Sequence, residues 1–139
     1  MIAKPTTQQI LDDCSRELMQ VVLPAVMDQT VQVTIYMMDL VLRNAAMRAA
    51  HEIAWMTDEI AELEAFAGTN GDPADTSEQS LHLDDVVDRY CKASDAFSKA
   101  LEEAVAAGDA DREKRGRGLL ARRIAHEQEI MCGWSPVGR

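Results

Sequence analysis

The residues best equipped for chemistry in this sequence are two histidine–glutamate pairs, His51-Glu52 and His126-Glu127. A histidine and a carboxylate from each of two facing helices could hold a metal ion or share a proton, and helix bundles do build di-metal sites in this way. The spacing argues against it. Adjacent residues on a helix point about 100° apart, and neither His-x-x-x-His nor Glu-x-x-His, the spacings that put two ligands on one face, occurs in the chain. The competing reading places each histidine at the margin of the core, with its neighbouring Arg and Glu facing water. His82 has still less company.

Other chemistries find less. There is no Gly-x-Ser-x-Gly, and no cysteine stands beside a histidine in sequence or at helical spacing. Gly116-x-Gly118 lies inside a basic helical segment rather than between a strand and a helix, so it is no phosphate loop. The basic segment holding Arg112, Lys114, Arg115, Arg117, Arg122 and Arg123 suits an anionic ligand or an acidic partner, with Arg115, Arg122 and Arg123 as the candidates. Equally, these side chains, interspersed with Asp111 and Glu113, would serve to solvate the fourth helix. Met37, Met38, Met47 and Met56 read either as an adaptable groove for an acyl chain or as core. Trp134, in the tail Cys132-Gly133-Trp134-Ser135-Pro136, is an anchor for a partner or folds back on the bundle.

The elements that must position these residues are helices. The chain has 139 residues, 47% of them apolar but only 4% aromatic, so Leu, Ile, Val, Met and Ala fill the interior, a mixture that favours helix. A single domain over 1–139 is expected. The net charge of −10 repels phosphate backbones and anionic head groups, so no nucleic acid and no membrane surface is expected as a partner. No uncharged apolar run reaches the roughly 18 residues of a membrane span. The start, Met1-Ile2-Ala3-Lys4-Pro5, has no apolar signal core, and the three cysteines form no C-x-x-C pair. A cytoplasmic protein with reduced thiols is expected, with Cys14 and Cys91 in the core.

The first helix is predicted over 7–23, opened by a Thr6-x-x-Gln9 capping box and ended or kinked near Leu23 by Pro24. The second runs over 28–67 without a Gly or Pro. Its first part, Val31 to Leu42, is apolar nearly all round and demands cover on several sides. From Arg43 it becomes amphipathic, with Arg48, Glu52, Asp58, Glu59 and Glu62 opposite Ala46, Ala50, Ile53, Ile60 and Leu63. A loop follows over 68–76. A third helix is predicted over 77–107, opened by Thr76 and burying Leu83, Val86, Val87, Tyr90, Phe97, Leu101 and Val105. A fourth, over 110–132, is weakened in its first turns by Gly116 and Gly118. The fold class is therefore all-α, an antiparallel four-helix bundle-like domain with a long second helix. The match of Arg48-Ala49-Ala50-His51-Glu52 to Arg123-Ile124-Ala125-His126-Glu127 hints at two duplicated hairpins, although Ala/Glu/Arg-rich helices agree by chance often enough.

Pro5-Thr6, Ile10-Leu11, Glu17-Leu18, Val22-Leu23-Pro24-Ala25-Val26 and the run from Asp39 through Val41-Leu42-Arg43-Asn44-Ala45 give the first half a further likeness. It resembles the small helical proteins that bacteria encode beside aminoglycoside-phosphotransferase-like kinases and acyl-CoA dehydrogenases in levulinate-type catabolism. The resemblance implies a non-catalytic accessory subunit that binds such an enzyme and supports phosphorylation of a hydroxyacyl-CoA. It implies no cofactor of its own, any ATP and magnesium belonging to the partner. The C-terminal half departs from the family pattern, with His126-Glu127-Gln128-Glu129 and Gly133-Trp134-Ser135-Pro136 in place of a basic, apolar close. Ile35, Met38, Leu42 and Trp134 are the expected partner-binding residues. The alternative is a homo-oligomeric bundle that binds a metal or acyl ligand itself through His51 and His126.

Overall fold

A computed structural model describes residues 4–69 and 80–131. Every regular element among them is helical: α1 (Thr7–Glu17), a π-turn over Leu18–Val22, α2 (Leu23–Ala25), α3 (Gln29–Ala67), α4 (Leu83–Ala107) and α5 (Ala110–Met131). The all-α class and the long second helix, here α3 with 39 residues, are as expected. None of these helices is long and apolar enough to cross a membrane.

The ends of the helices follow from side chains that satisfy orphan backbone groups. Thr6 and Gln9 form the reciprocal capping box at the start of α1. Two outcomes are expected at Pro24, an end or a kink near Leu23, and the helix does not end there. The chain widens into a π-turn immediately before it and stays helical to Ala25, which accommodates the missing donor without a break. Asp28 then caps α3, accepting from the amides of Thr30 and Val31. At the far end of the chain's longest helix, the Arg112 guanidinium donates to the Phe66 carbonyl at 3.3 Å. The third predicted helix begins later than 77, because Ser80 to His82 are not helical and α4 starts at Leu83. Thr76, its expected cap, lies outside the described residues, as do Cys132 and Trp134.

The chain gathers into two compact units. Unit 1 comprises the residues up to Glu52 together with those from Glu127 onward, and unit 2 is Ile53–His126. Unit 2 contains a closed apolar core of Ile60, Leu63, Val86, Ala93 and Phe97, with Met56, Phe66, Tyr90, Leu101 and Leu119 packed against it. Along α4 the inward positions 86, 90, 93, 97, 100 and 104 recur at spacings of four and three, three of them alanines. Leu83, Val87 and Val105, expected inside, are exposed. The inward stripe is turned toward the alanines because they let the helices approach closely.

Contacts fix the directions within unit 2. Glu59 meets Tyr90 and Phe66 meets Phe97, so this part of α3 runs parallel to α4. Glu59 meets His126 and Glu62 meets Arg122, while Tyr90 meets Arg123, so α5 runs antiparallel to both. The antiparallel pairing expected for the bundle thus holds for α5 against its two neighbours. Gly116 sits at a close contact between helices. A Cβ there would fall 2.6 Å from Leu101 Cδ1 and 3.0 Å from the Phe66 ring. It is required for packing rather than a weakness, whereas Gly118 has open space around it.

Unit 1 is built differently. Across α1 and α3 the buried residues are Ser15, Ile35, Asp39 and Ala46, and Ser15 donates to Asp39 at 2.5 Å. The inward line of α1 passes through Ser15 rather than Cys14, and Cys14 is exposed, as is Cys91 in unit 2. Both cysteines were expected in the core. A one-position shift around the helix, set by the need to give buried Asp39 a donor, accounts for Cys14.

Candidate functional site

Two features stand out, one in each unit. In unit 2 a polar network surrounds Glu59, which is only 7% exposed. Its Oε2 accepts from the Tyr90 hydroxyl at 2.5 Å and its Oε1 pairs with His126 Nδ1 at 2.6 Å. A carboxylate accepts, so the Nδ1 position carries the proton. The Arg123 Nε donates to the Tyr90 oxygen at 2.9 Å, lies 3.7 Å from Glu59 and sets its guanidinium over the tyrosine ring. The His126 ring stacks flat on Trp55 with centroids 4.7 Å apart. Each carboxylate oxygen of Glu59 therefore has a hydrogen-bond partner.

This arrangement fixes the state of Tyr90. Its phenol is pushed up to about 12, first because burial disfavours the phenolate and then because the neutral form donates to Glu59. Tyr90 stays protonated across the physiological range and acts as a donor, not as a base. Beside the network is a cleft of about 190 Å³ lined by Asp58, Glu59, Glu62, Leu63, Leu119, Arg122, Arg123 and His126. Three carboxylates there face two guanidinium groups. Arg122 pairs with Glu62 at 2.5 Å and Arg123 with Glu59 and Tyr90. Two of the three cations considered for an anion are thus already matched within their own unit, while Arg115 is exposed on α5.

The two histidines fall in different units. His126 belongs to the Glu59 network, and His51 is a half-buried residue of unit 1, next to the Arg48–Glu52 ion pair at 2.8 Å. Arg48 and Arg123, equivalent in the repeated segment, do different things. Arg123, expected to face water, lies instead against Tyr90 and Glu59. Among the described residues no group of three or more His, Cys, Asp or Glu is placed to hold a metal ion. The network's central members, Glu59 and Tyr90, were assigned to the solvated and the apolar face respectively. Glu59 stands three residues after Met56 and four before Leu63, on their side of the helix. That position was the legible sign of a buried carboxylate.

The feature in unit 1 is apolar. The first half of α3 is expected to need cover on several sides, and among its described residues up to Ala46 the buried ones are Ile35, Asp39 and Ala46. Ile35 is buried, so of the expected partner-binding residues it is part of the unit's own interior. Met38 is exposed and Leu42 half-buried. Val33, Met37 and Val41, four residues apart, are 57%, 54% and 64% exposed, and Val31 and Tyr36 are exposed too. At about 100° per residue, Val31, Met38 and Leu42 share one flank of α3, beside the buried line of Ile35 and Asp39. Val33, Met37, Leu40 and Asn44 lie on the far side. The acid on this stretch is hidden instead: Asp39, 5% exposed, accepts from Ser15 and pairs with Arg43 at 2.8 Å. At the level of known proteins, no family model, no curated protein and no solved structure matches the chain.

Proposed function

We propose that this protein is a non-catalytic docking subunit, which binds a kinase-like or dehydrogenase-like enzyme of acyl-CoA metabolism and supports phosphorylation of a hydroxyacyl-CoA by that enzyme. The observation that carries the docking role is the exposed apolar surface of α3 in unit 1. A folded chain ordinarily keeps exposed apolar patches to a few hundred Å², and larger ones mark surfaces that another protein covers. Here Val31, Val33, Tyr36, Met37, Met38 and Val41 are all exposed along less than a dozen residues. The class of partner comes from the N-terminal resemblance carried by the Leu23-Pro24-Ala25 segment and its neighbours.

The flank holding Val31, Met38 and Leu42 is the side offered to the enzyme. The test is size-exclusion chromatography with light scattering, on the full chain mixed with the purified kinase-like enzyme encoded beside it. A joint peak is expected, and Met38→Glu, on an exposed side chain that leaves the fold intact, should weaken it at least about tenfold. Two separate peaks at roughly 10 µM of each protein would overturn the proposal.

A further inference from the structure

We propose that the cleft beside the Glu59 network in unit 2 binds a small α-amino acid, its carboxylate on Arg123 and its ammonium on Asp58. This goes beyond the enzyme-docking role, which is read on unit 1. The cleft lies between α3 and α5, which run antiparallel. Asp58 and Glu62 stand four residues apart on α3, and Arg122 and His126 stand four apart on α5, so each pair shares one side of its helix. One wall is thus acidic and the other basic. Buried Leu63 and half-buried Leu119 add an apolar lining. The Arg122–Glu62 ion pair joins the walls at one end. Because Glu59 meets His126, Asp58 and His126 stand toward the other.

Three observations select the ligand. The first is the set of groups that the protein leaves unmatched. Arg123 spends its Nε on Tyr90, and its two terminal nitrogens make no hydrogen bond among the described residues. Its guanidinium is held over the Tyr90 ring, so the fork of N–H groups that suits a carboxylate is already positioned. His126 gives Nδ1 to Glu59 and lies flat on Trp55. Its ring is therefore oriented, and in the neutral form Nε2 keeps a lone pair with no donor among the described residues. Asp58, exposed at the cleft, has neither a hydrogen bond nor an ion pair among the described residues. A primary ammonium, with three N–H groups, matches these two acceptors. The second observation is charge. Three carboxylates against two guanidinium groups leave the cleft net negative, in a chain that carries −10 overall. A simple anion is repelled by that balance, and a simple cation would lie against Arg122 and Arg123. A zwitterion gives each wall its opposite charge. The third is size. The cleft's volume of about 190 Å³ is below the roughly 300–1,000 Å³ of sites that hold cofactors and drug-sized ligands. Nucleotides and coenzymes are too large for it, whereas Leu63 and Leu119 leave an apolar face for a short aliphatic side chain.

The experiment titrates the isotope-labelled full chain with L-valine and follows it by NMR. Two relatives of valine serve as controls: isovalerate, which lacks the ammonium, and isobutylamine, which lacks the carboxylate. Valine should shift the Arg123 Nε–H and His126 ring signals to saturation, with a dissociation constant of about 1 mM or tighter. Each control should bind at least about tenfold more weakly, because it leaves one charged wall unmatched. Asp58→Asn, at an exposed side chain outside the Glu59 network, should leave the circular dichroism unchanged and weaken valine by about tenfold or more. Unmoved Arg123 and His126 signals at roughly 10 mM valine, equal affinity for valine and isovalerate, or an Asp58→Asn variant that binds valine like wild type would overturn the inference. Any of these results would leave the docking role of unit 1 standing, since that role is tested by the joint peak with the enzyme.

Discussion

The two halves of α3 make an instructive contrast. In unit 1 the helix is apolar on most sides, yet it buries a carboxylate, a serine and an isoleucine and leaves valines and methionines in water. In unit 2 the same helix is amphipathic by sequence, and it closes a core around Phe97 and a polar network in which both oxygens of Glu59 are hydrogen-bonded. The difference lies in the number of neighbours. Unit 2 supplies two further helices to α3, enough to enclose its inward arc. In unit 1 the described side-chain contact to α3 is that of Ser15 on α1 with Asp39, and a helix buries only what its neighbours reach. High apolar content along a segment therefore measured the demand for cover, not its supply.

The sharpest way to break this contrast is to truncate one large side chain in each unit. Phe97→Ala should cost about 3–5 kcal/mol, because it empties the centre of a closed core. Ile10→Ala on α1, half exposed, should stay within about 1 kcal/mol of wild type. Urea unfolding followed by circular dichroism measures both. Equal losses would mean that unit 1 is packed as tightly as unit 2.

A smaller effect tests how closely the helices of unit 2 meet. Gly116→Ala has to push aside Leu101 and Phe66 and should destabilise by about 1–3 kcal/mol. Gly118→Ala, two residues along the same helix and facing open space, should stabilise by about 0.5–1 kcal/mol through helix propensity. Thermal melts that moved the same way for both variants would dissolve the distinction.

The smallest signal reads the network itself. The chain has two tyrosines, so in a Tyr36→Phe background the ultraviolet absorbance of phenolate reports Tyr90 alone. It should appear with a midpoint of about 12, and adding Glu59→Gln should bring it down toward the ordinary tyrosine value. The sign for stability follows. The folded state holds the Tyr90 proton more tightly than the unfolded chain, so this contribution is complete below about pH 10 and is lost as the pH rises through about 12. A Tyr90 that titrated like an exposed phenol in the folded protein would show that the Glu59 network is open to water.

Much of the local structure was legible. The Thr6–Gln9 box, the uninterrupted second helix and the turn at Gly108 follow from capping chemistry and from the absence of Gly and Pro, which act over a few residues. The candidate sites were less so. His126 stood out, but its partner Glu59, 67 residues away, and Tyr90, which donates to the same carboxylate, did not. Arg122 and Arg123 stood out as free cations until Glu62 and Glu59 were brought beside them. A pairing between distant helices leaves no periodicity of its own, since each side chain sits at an ordinary position on its helix.

What the sequence by itself determined is the helical class, the sequence limits of its longest helix and the unusual apolar stretch from Val31 to Leu42, because propensity, capping and hydrophobic spacing are properties of neighbouring residues. Only the tertiary structure decided which acids are buried, which way α4 runs beside α3, and that Gly116 is a contact rather than a flaw. Those depend on which helix faces set at long range come together, and a rotation of one position is enough to exchange Cys14 for Ser15 at the interior of unit 1.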